Sequence, residues 1–148
     1  MTIVATRDAL AYSTAVDTDC NCPAHDMTDH ARHPRILVVE DEPLVAGAIA
    51  ELLLDAGFEI TGVVGTIEMA LVLIDTGALD AASLDANLAG ISAVPIAMAL
   101  EARGLPYVVL SAVSFEQQPA GLRRALFLRK PCRPAQLIRV LTDLCAKH

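Results

Sequence analysis

The sequence predicts an α/β domain in which a five-stranded parallel sheet carries helices on both faces. Three observations predict it. Short apolar runs alternate with stretches of helical periodicity from Arg35 onward. The first of those runs is apolar throughout, as a strand buried on both faces should be. Glycines and prolines stand where the elements change over. The composition supports such a core, since 54% of the 148 residues are apolar while only 3% are aromatic. The interior must therefore be built from Ala, Leu, Val and Ile.

The first strand is the apolar part of "RILVVEDE", residues 35–42. Pro43 suits the first turn of a helix. Val45, Ala48, Ile49, Leu52 and Leu53 follow at helical spacing, and Gly57 supplies the stop. "FEITGVV" is the second strand. Thr66 caps a second helix with Ile67, Ala70, Leu71 and Ile74 on one face, closed by Gly77. "LDAASLD" is the third strand, less obvious because of its alanines. "ANLAGIS" reads as a loop leading to a helix over about 94–103, with Gly104 as its stop. "PYVVLS" is the fourth strand. Residues 112–124 carry no clear pattern, because Pro119 and Gly121 weaken any helix there. "ALFLRK" is the fifth strand, and 134–146 form a last helix with Leu137, Val140, Leu141 and Leu144 in register.

Strands that alternate with helices connect by right-handed crossovers, and the flavodoxin-like order 2-1-3-4-5 places strands one and three side by side. Function in such doubly wound (βα)5 sheets sits at the carboxyl ends of the strands. Strand one ends in Glu40 and Asp41, strand three in Asp85, strand four in Ser111 and strand five in Lys130. Strand two ends in Gly65 and offers no reactive group. Glu40, Asp41 and Asp85 would share one pocket, with Ser111 and Lys130 closing its far side.

Three carboxylates about 5 Å apart repel by a few kcal/mol at an effective dielectric near 20. A divalent cation removes that repulsion, and an all-oxygen donor set suits Mg²⁺ better than Zn²⁺. A metal beside an aspartate suits phosphoryl chemistry, with the carboxylate as nucleophile and a lysine neutralising incoming charge. Glu42, third of the acidic run, reads as a solvated residue of the helix first turn.

"VVEDEPLVA", "SLDANLAG", "VVLSA" and "LRKP", in that order, resemble the receiver domains of two-component response regulators. The resemblance spans residues 35 to about 146. It implies that Asp85 accepts a phosphoryl group, and that Glu40, Asp41, Asp85 and the backbone carbonyl of Asn87 hold Mg²⁺. It implies that Ser111 is the switch hydroxyl, with the small Ala112 after it leaving room for the phosphoryl group. Lys130 would pair with the phosphate, the Lys130–Pro131 bond would be cis, and Phe127 would be the aromatic switch. The stretch from Leu84 to Val109 is most similar to stand-alone, single-domain receivers. Those usually carry Phe-Ala-Thr-Gly-Tyr after strand four, where this chain has "VLSAV".

The resemblance implies a histidine kinase or a histidine phosphotransfer protein as phosphodonor. It implies output by conformational switch or onward phosphotransfer, and a homodimer through the last helix and strands four and five. It implies no enzyme beyond self-phosphorylation and self-dephosphorylation. The rival is a phosphorylation-independent interaction module with the same fold. An aspartate-nucleophile phosphatase would want a second Asp where Asn87 stands, and "EDEPLVA" is a poor phosphate cradle for a flavin nucleotide.

The net charge of −7 argues against nucleic acid as a partner. No apolar run is long enough to span a bilayer and no signal peptide is recognisable, so a cytoplasmic protein without membrane attachment is expected. Residues 1–34 read as a flexible tail before a receiver domain at 35–148. Its Cys20, Cys22, His25, His30 and His33 match no standard zinc spacing. Cys132 and Cys145 read as packing residues.

Overall fold

The computed structural model describes residues 32–147. The tail at 1–31 and its Cys20, Cys22, His25 and His30 lie outside the described residues. Five parallel strands form the sheet: β1 (Arg35–Val39), β2 (Glu59–Val64), β3 (Ala81–Asp85), β6 (Tyr107–Ser111) and β7 (Leu126–Arg129). Their order is β2-β1-β3-β6-β7, the expected 2-1-3-4-5 arrangement with β6 and β7 as the fourth and fifth strands of the parallel sheet. The strands at its centre are β1, β3 and β6, and they are buried almost end to end.

Alternate residues of each strand feed opposite cores. Leu37, Val39, Ala82, Leu84 and Val109 pack with Ala70 and Ile74 of α2 (Ile67–Thr76) and with Ile96, Ala97 and Leu100 of α3 (Val94–Ala102). Ile36, Val38, Ala81, Val108 and Leu110 pack with Ile49 and Leu53 of α1 (Pro43–Asp55) and with Leu137 and Leu141 of α4 (Pro134–Ala146). Each fully buried Leu or Ile contributes roughly 1.5–3 kcal/mol through burial.

The ends of the helices follow local chemistry. Pro43 and Pro134 stand in first turns, and Thr66 Oγ1 accepts a hydrogen bond from the Met69 N–H at 3.3 Å. Gly57 and Gly104 follow α1 and α3 in the left-handed region, at φ +98° and +68°. The expected stripe of α1 is corrected by the structure. Val45 and Ala48 are exposed, and Ala46, Ile49 and Leu53 face the sheet. Residues 44–54 are apolar almost all round, so periodicity alone does not select one stripe and the contact with β1 and β2 does.

Two connections also depart from expectation. The predicted loop at 86–92 contains a small antiparallel hairpin, β4 (Asn87–Leu88) with β5 (Ile91–Ser92). Its turn residues Ala89 and Gly90 both have positive φ, 54° and 88°. Ala-Gly is not the Asn-Gly pair that signals such a turn, which is why the hairpin is not legible. Between β6 and β7 there is no α-helix, only two 3₁₀ turns, Phe115–Gln117 and Ala120–Leu122. Gly121 packs so closely on α3 that a Cβ there would meet Val94 Cγ1 at 2.9 Å. Among the described residues, no helix is long and apolar enough to cross a membrane.

Candidate functional site

The carboxyl ends of β1, β3, β6 and β7 bring the predicted polar residues together. Glu40 and Asp41 follow β1 directly, Asp85 and Ser111 are the last residues of β3 and β6, and Lys130 follows β7. Gly65, after β2, lets the chain pass close by: a Cβ there would lie 3.2 Å from Asp41 Cα and 3.3 Å from the Glu40 carbonyl oxygen.

Glu40, Asp41 and Asp85 can each place one carboxylate oxygen within 4.8 Å of the others. Glu40 is 4% exposed and Asp85 7%, whereas Asp41 is half-buried. Lys130 Nζ lies 2.8 Å from Glu40 Oε2 and 3.4 Å from Asp85 Oδ1. The Asn87 N–H donates to Asp85 Oδ1 at 3.3 Å, and the Glu42 N–H donates to Glu40 Oε1 at 3.4 Å. Glu42 itself is exposed and makes no side-chain cap at the start of α1.

Burial is the main influence on Asp85 and pushes its carboxyl up to about 7, with the hydrogen bond to Glu40 acting in the same direction. The charge of Lys130 and the Asn87 N–H pull the other way. Burial pulls Lys130 down, but its hydrogen bond to Glu40 and the charges of Asp85 and Glu40 prevail and raise it above the usual lysine value. When all three carboxylates are ionised, one lysine leaves two negative charges uncompensated. Carboxylates within 4.8 Å of one another repel by about 3 kcal/mol or more per ionised pair at an effective dielectric near 20. That deficit, an all-oxygen donor set and partial exposure at Asp41 fit a divalent cation.

Asp85, Ala86, Asn87, Ser111, Ala112, Gln118 and Lys130 border an open cavity of about 520 Å³ beside this cluster. Ser111 Oγ accepts hydrogen bonds from the Val113 N–H at 3.2 Å and from Gln118 Nε2 at 2.8 Å. Gln118 is a site residue that sequence reasoning missed. It lies in the patternless segment, and a single glutamine there carries no signal. The Lys130–Pro131 bond is cis, as expected from the resemblance. Phe127, in β7, is half-buried and meets Phe115 edge to face at a centroid distance of 5.9 Å. Cys132 and Cys145 pack at the margin of the α1–α4 core.

A carboxylate cluster at the ends of β1 and β3, with a lysine after the last strand, defines a class of signalling domain. The chain belongs to the receiver domains of response regulators. It is 34% identical to SdrG from Sphingomonas melonis Fr1, with a TM-score of 0.66 over 76% of this chain and 96% of that one. A response regulator receiver domain (CheY-like) from Methylobacillus flagellatus is 25% identical, with a TM-score of 0.67 over 76% and 99% of the two chains. The receiver domain of the Francisella response regulator 1452 is also 25% identical, at a TM-score of 0.68 over 78% and 98%. No protein-family model and no curated protein sequence matches the chain.

Proposed function

We propose that the protein accepts a phosphoryl group on Asp85 from a histidine kinase or a histidine phosphotransfer protein. The observation that carries this reading is one pocket holding a buried aspartate, two further carboxylates and a lysine that contacts two of the three. An Asp85 oxygen attacks phosphorus, the O–P bond forms as the donor's N–P bond breaks, and the histidine keeps the electron pair. Glu40, Asp41, Asp85 and the Asn87 carbonyl would hold Mg²⁺, which when bound neutralises charge on the phosphoryl oxygens. Lys130 stands beside the attacked group and balances negative charge there. The Ser111 hydroxyl donates to a phosphoryl oxygen from the opposite side.

An apolar groove of about 800 Å³ starts at Lys130 and runs between α1 and α4 past Leu44, Val45, Leu52, Pro131 and Leu137. Leu44 is 84% exposed. A helix of the phosphodonor laid in this groove would bring its phosphohistidine over Asp85. Output through β6, β7 and α4, to another protein or a second copy of the chain, is supported by the exposed Val113, Phe115 and Leu126 nearby. Phosphohistidine donors are charged from ATP, which puts the reaction in the cytoplasm. The protein then catalyses at most its own phosphorylation and dephosphorylation.

The phosphorylation-independent alternative would suit a pocket that had lost one of these residues, and here all of them converge. A phosphatase using a second acid beside the nucleophile finds instead Asn87, whose Oδ1 is occupied by the Gly90 N–H at 2.7 Å. The test is mass spectrometry after incubation with Mg²⁺ and acetyl phosphate. One added phosphoryl group is expected on the wild type and none on Asp85→Asn. Equal labelling of the two would overturn the assignment. With a phosphohistidine protein as donor, Leu44→Glu should slow transfer about tenfold while labelling by acetyl phosphate stays unchanged.

A further inference from the structure

We infer that Gln118 is a positioning residue that commits the Ser111 hydroxyl to donating its proton into the phosphoryl pocket; the inference rests on the phosphoacceptor reading of Asp85. A serine hydroxyl has two lone pairs and one proton. In this structure two donors meet its oxygen, the Val113 N–H at 3.2 Å and Gln118 Nε2 at 2.8 Å. The proton is the one hydrogen-bonding valence left. Ser111 borders the cavity that Asp85, Asn87 and Lys130 also line, so that proton has a phosphoryl oxygen as its natural acceptor.

Gln118 is built to hold this geometry. It is 3% exposed and Ser111 is 5% exposed, so water does not compete freely for either group. The same Nε2 also lies 3.4 Å from the Val113 carbonyl oxygen and 3.5 Å from that of Ser114, which occupies its second proton. The Gln118 backbone is fixed at both polar atoms. Its N–H donates to the Phe115 carbonyl at 3.1 Å, and its carbonyl accepts from Arg123 Nε at 2.9 Å. The irregular segment that replaces a helix between β6 and β7 thus delivers one amide to the switch hydroxyl. An acceptor in place of that amide would have the opposite effect, drawing the Ser111 proton out of the pocket.

The experiment measures beryllofluoride affinity at saturating Mg²⁺, together with Mg²⁺ affinity alone, by isothermal calorimetry or NMR. Loss of one hydrogen bond predicts that Gln118→Leu weakens beryllofluoride about three- to tenfold. Gln118→Glu should weaken it more, because its carboxylate accepts the serine proton and adds negative charge beside the anion. Mg²⁺ affinity should stay within about twofold for Gln118→Leu, since the ion site lies on the carboxylate side. In a Ser111→Ala background Gln118→Leu should change nothing further, because its effect passes through the hydroxyl. If Gln118→Leu unfolds the chain, Gln118→Met takes its place with the same expectations.

Wild-type affinity in both Gln118 variants overturns the inference. So does an equal loss with and without Ser111, or a parallel loss of Mg²⁺ affinity, which marks general damage to the fold. If the wild type itself binds no beryllofluoride, the phosphoacceptor reading falls and this inference with it. Binding by the wild type with indifferent Gln118 variants removes this inference alone.

Discussion

The acidic half of the pocket and the serine half are held by different kinds of structure. Glu40, Asp41 and Asp85 stand at the ends of β1 and β3, adjacent strands whose register pairs Val39 with Leu84. Ser111 also ends a strand, but its partners Val113 and Gln118 belong to a segment of two short 3₁₀ turns. The acidic half is electrostatically costly, because the sheet gathers three carboxylates within 4.8 Å of one another. The serine half carries no charge of its own at the hydroxyl, and the Ser111 oxygen is satisfied by two neutral donors. The charged groups thus stand on the strand ends, and the hydrogen bonds to Ser111 come from the connection.

Removing the cation of the acidic half should have the largest effect. Lys130→Met leaves Glu40, 4% exposed, without its 2.8 Å partner, and should destabilise the protein by roughly 2–4 kcal/mol in urea unfolding. A change below about 1 kcal/mol would show the carboxylates to be better solvated than their burial suggests.

Removing a carboxylate should act in the opposite direction. Asp85 has a folded-state pKa of about 7 against an ordinary value of 3.8. Protonated Asp85 therefore favours the fold at low pH, and that advantage is lost as pH rises through the folded value. Without divalent cations, Asp85→Asn should stabilise the protein by roughly 1–3 kcal/mol above pH 7, and by less near pH 5. Denaturant titrations at the two pH values check this. A gain that grows on acidification would reverse the assigned sign.

The smallest effect belongs to the serine half. Phe115→Ala removes the edge-to-face contact with Phe127 from a ring that is already 39% exposed, and should cost about 1 kcal/mol. A loss as large as that of Lys130→Met would mean that the connection is as tightly bound into the fold as the strand ends. Thermal unfolding of the two variants side by side makes the comparison.

Several features were legible because one local rule produces each of them. The apolar run Ile36–Val39 reads directly as a buried strand, and the acids and the lysine at the strand ends locate the pocket once the order 2-1-3-4-5 is assumed. Thr66, Pro43 and Gly57 mark helix ends through capping and backbone chemistry. Other features needed the third dimension. The α1 stripe was displaced because nearly every residue of that helix is apolar, leaving the choice of face to the sheet beneath it. The hairpin at 87–92 has positive φ at an Ala-Gly pair that carries only half of the usual signal.

By itself, then, the sequence determined the alternation of strands and helices and the residues placed at the strand ends, because periodicity and backbone chemistry are local. Tertiary structure alone decided that Lys130 pairs with Glu40 at 2.8 Å as well as with Asp85. It also decided that Gln118 reaches Ser111, and that burial pushes the Asp85 carboxyl up to about 7. Those outcomes depend on burial and on distances between groups far apart in the chain, and neither quantity is written in residue order.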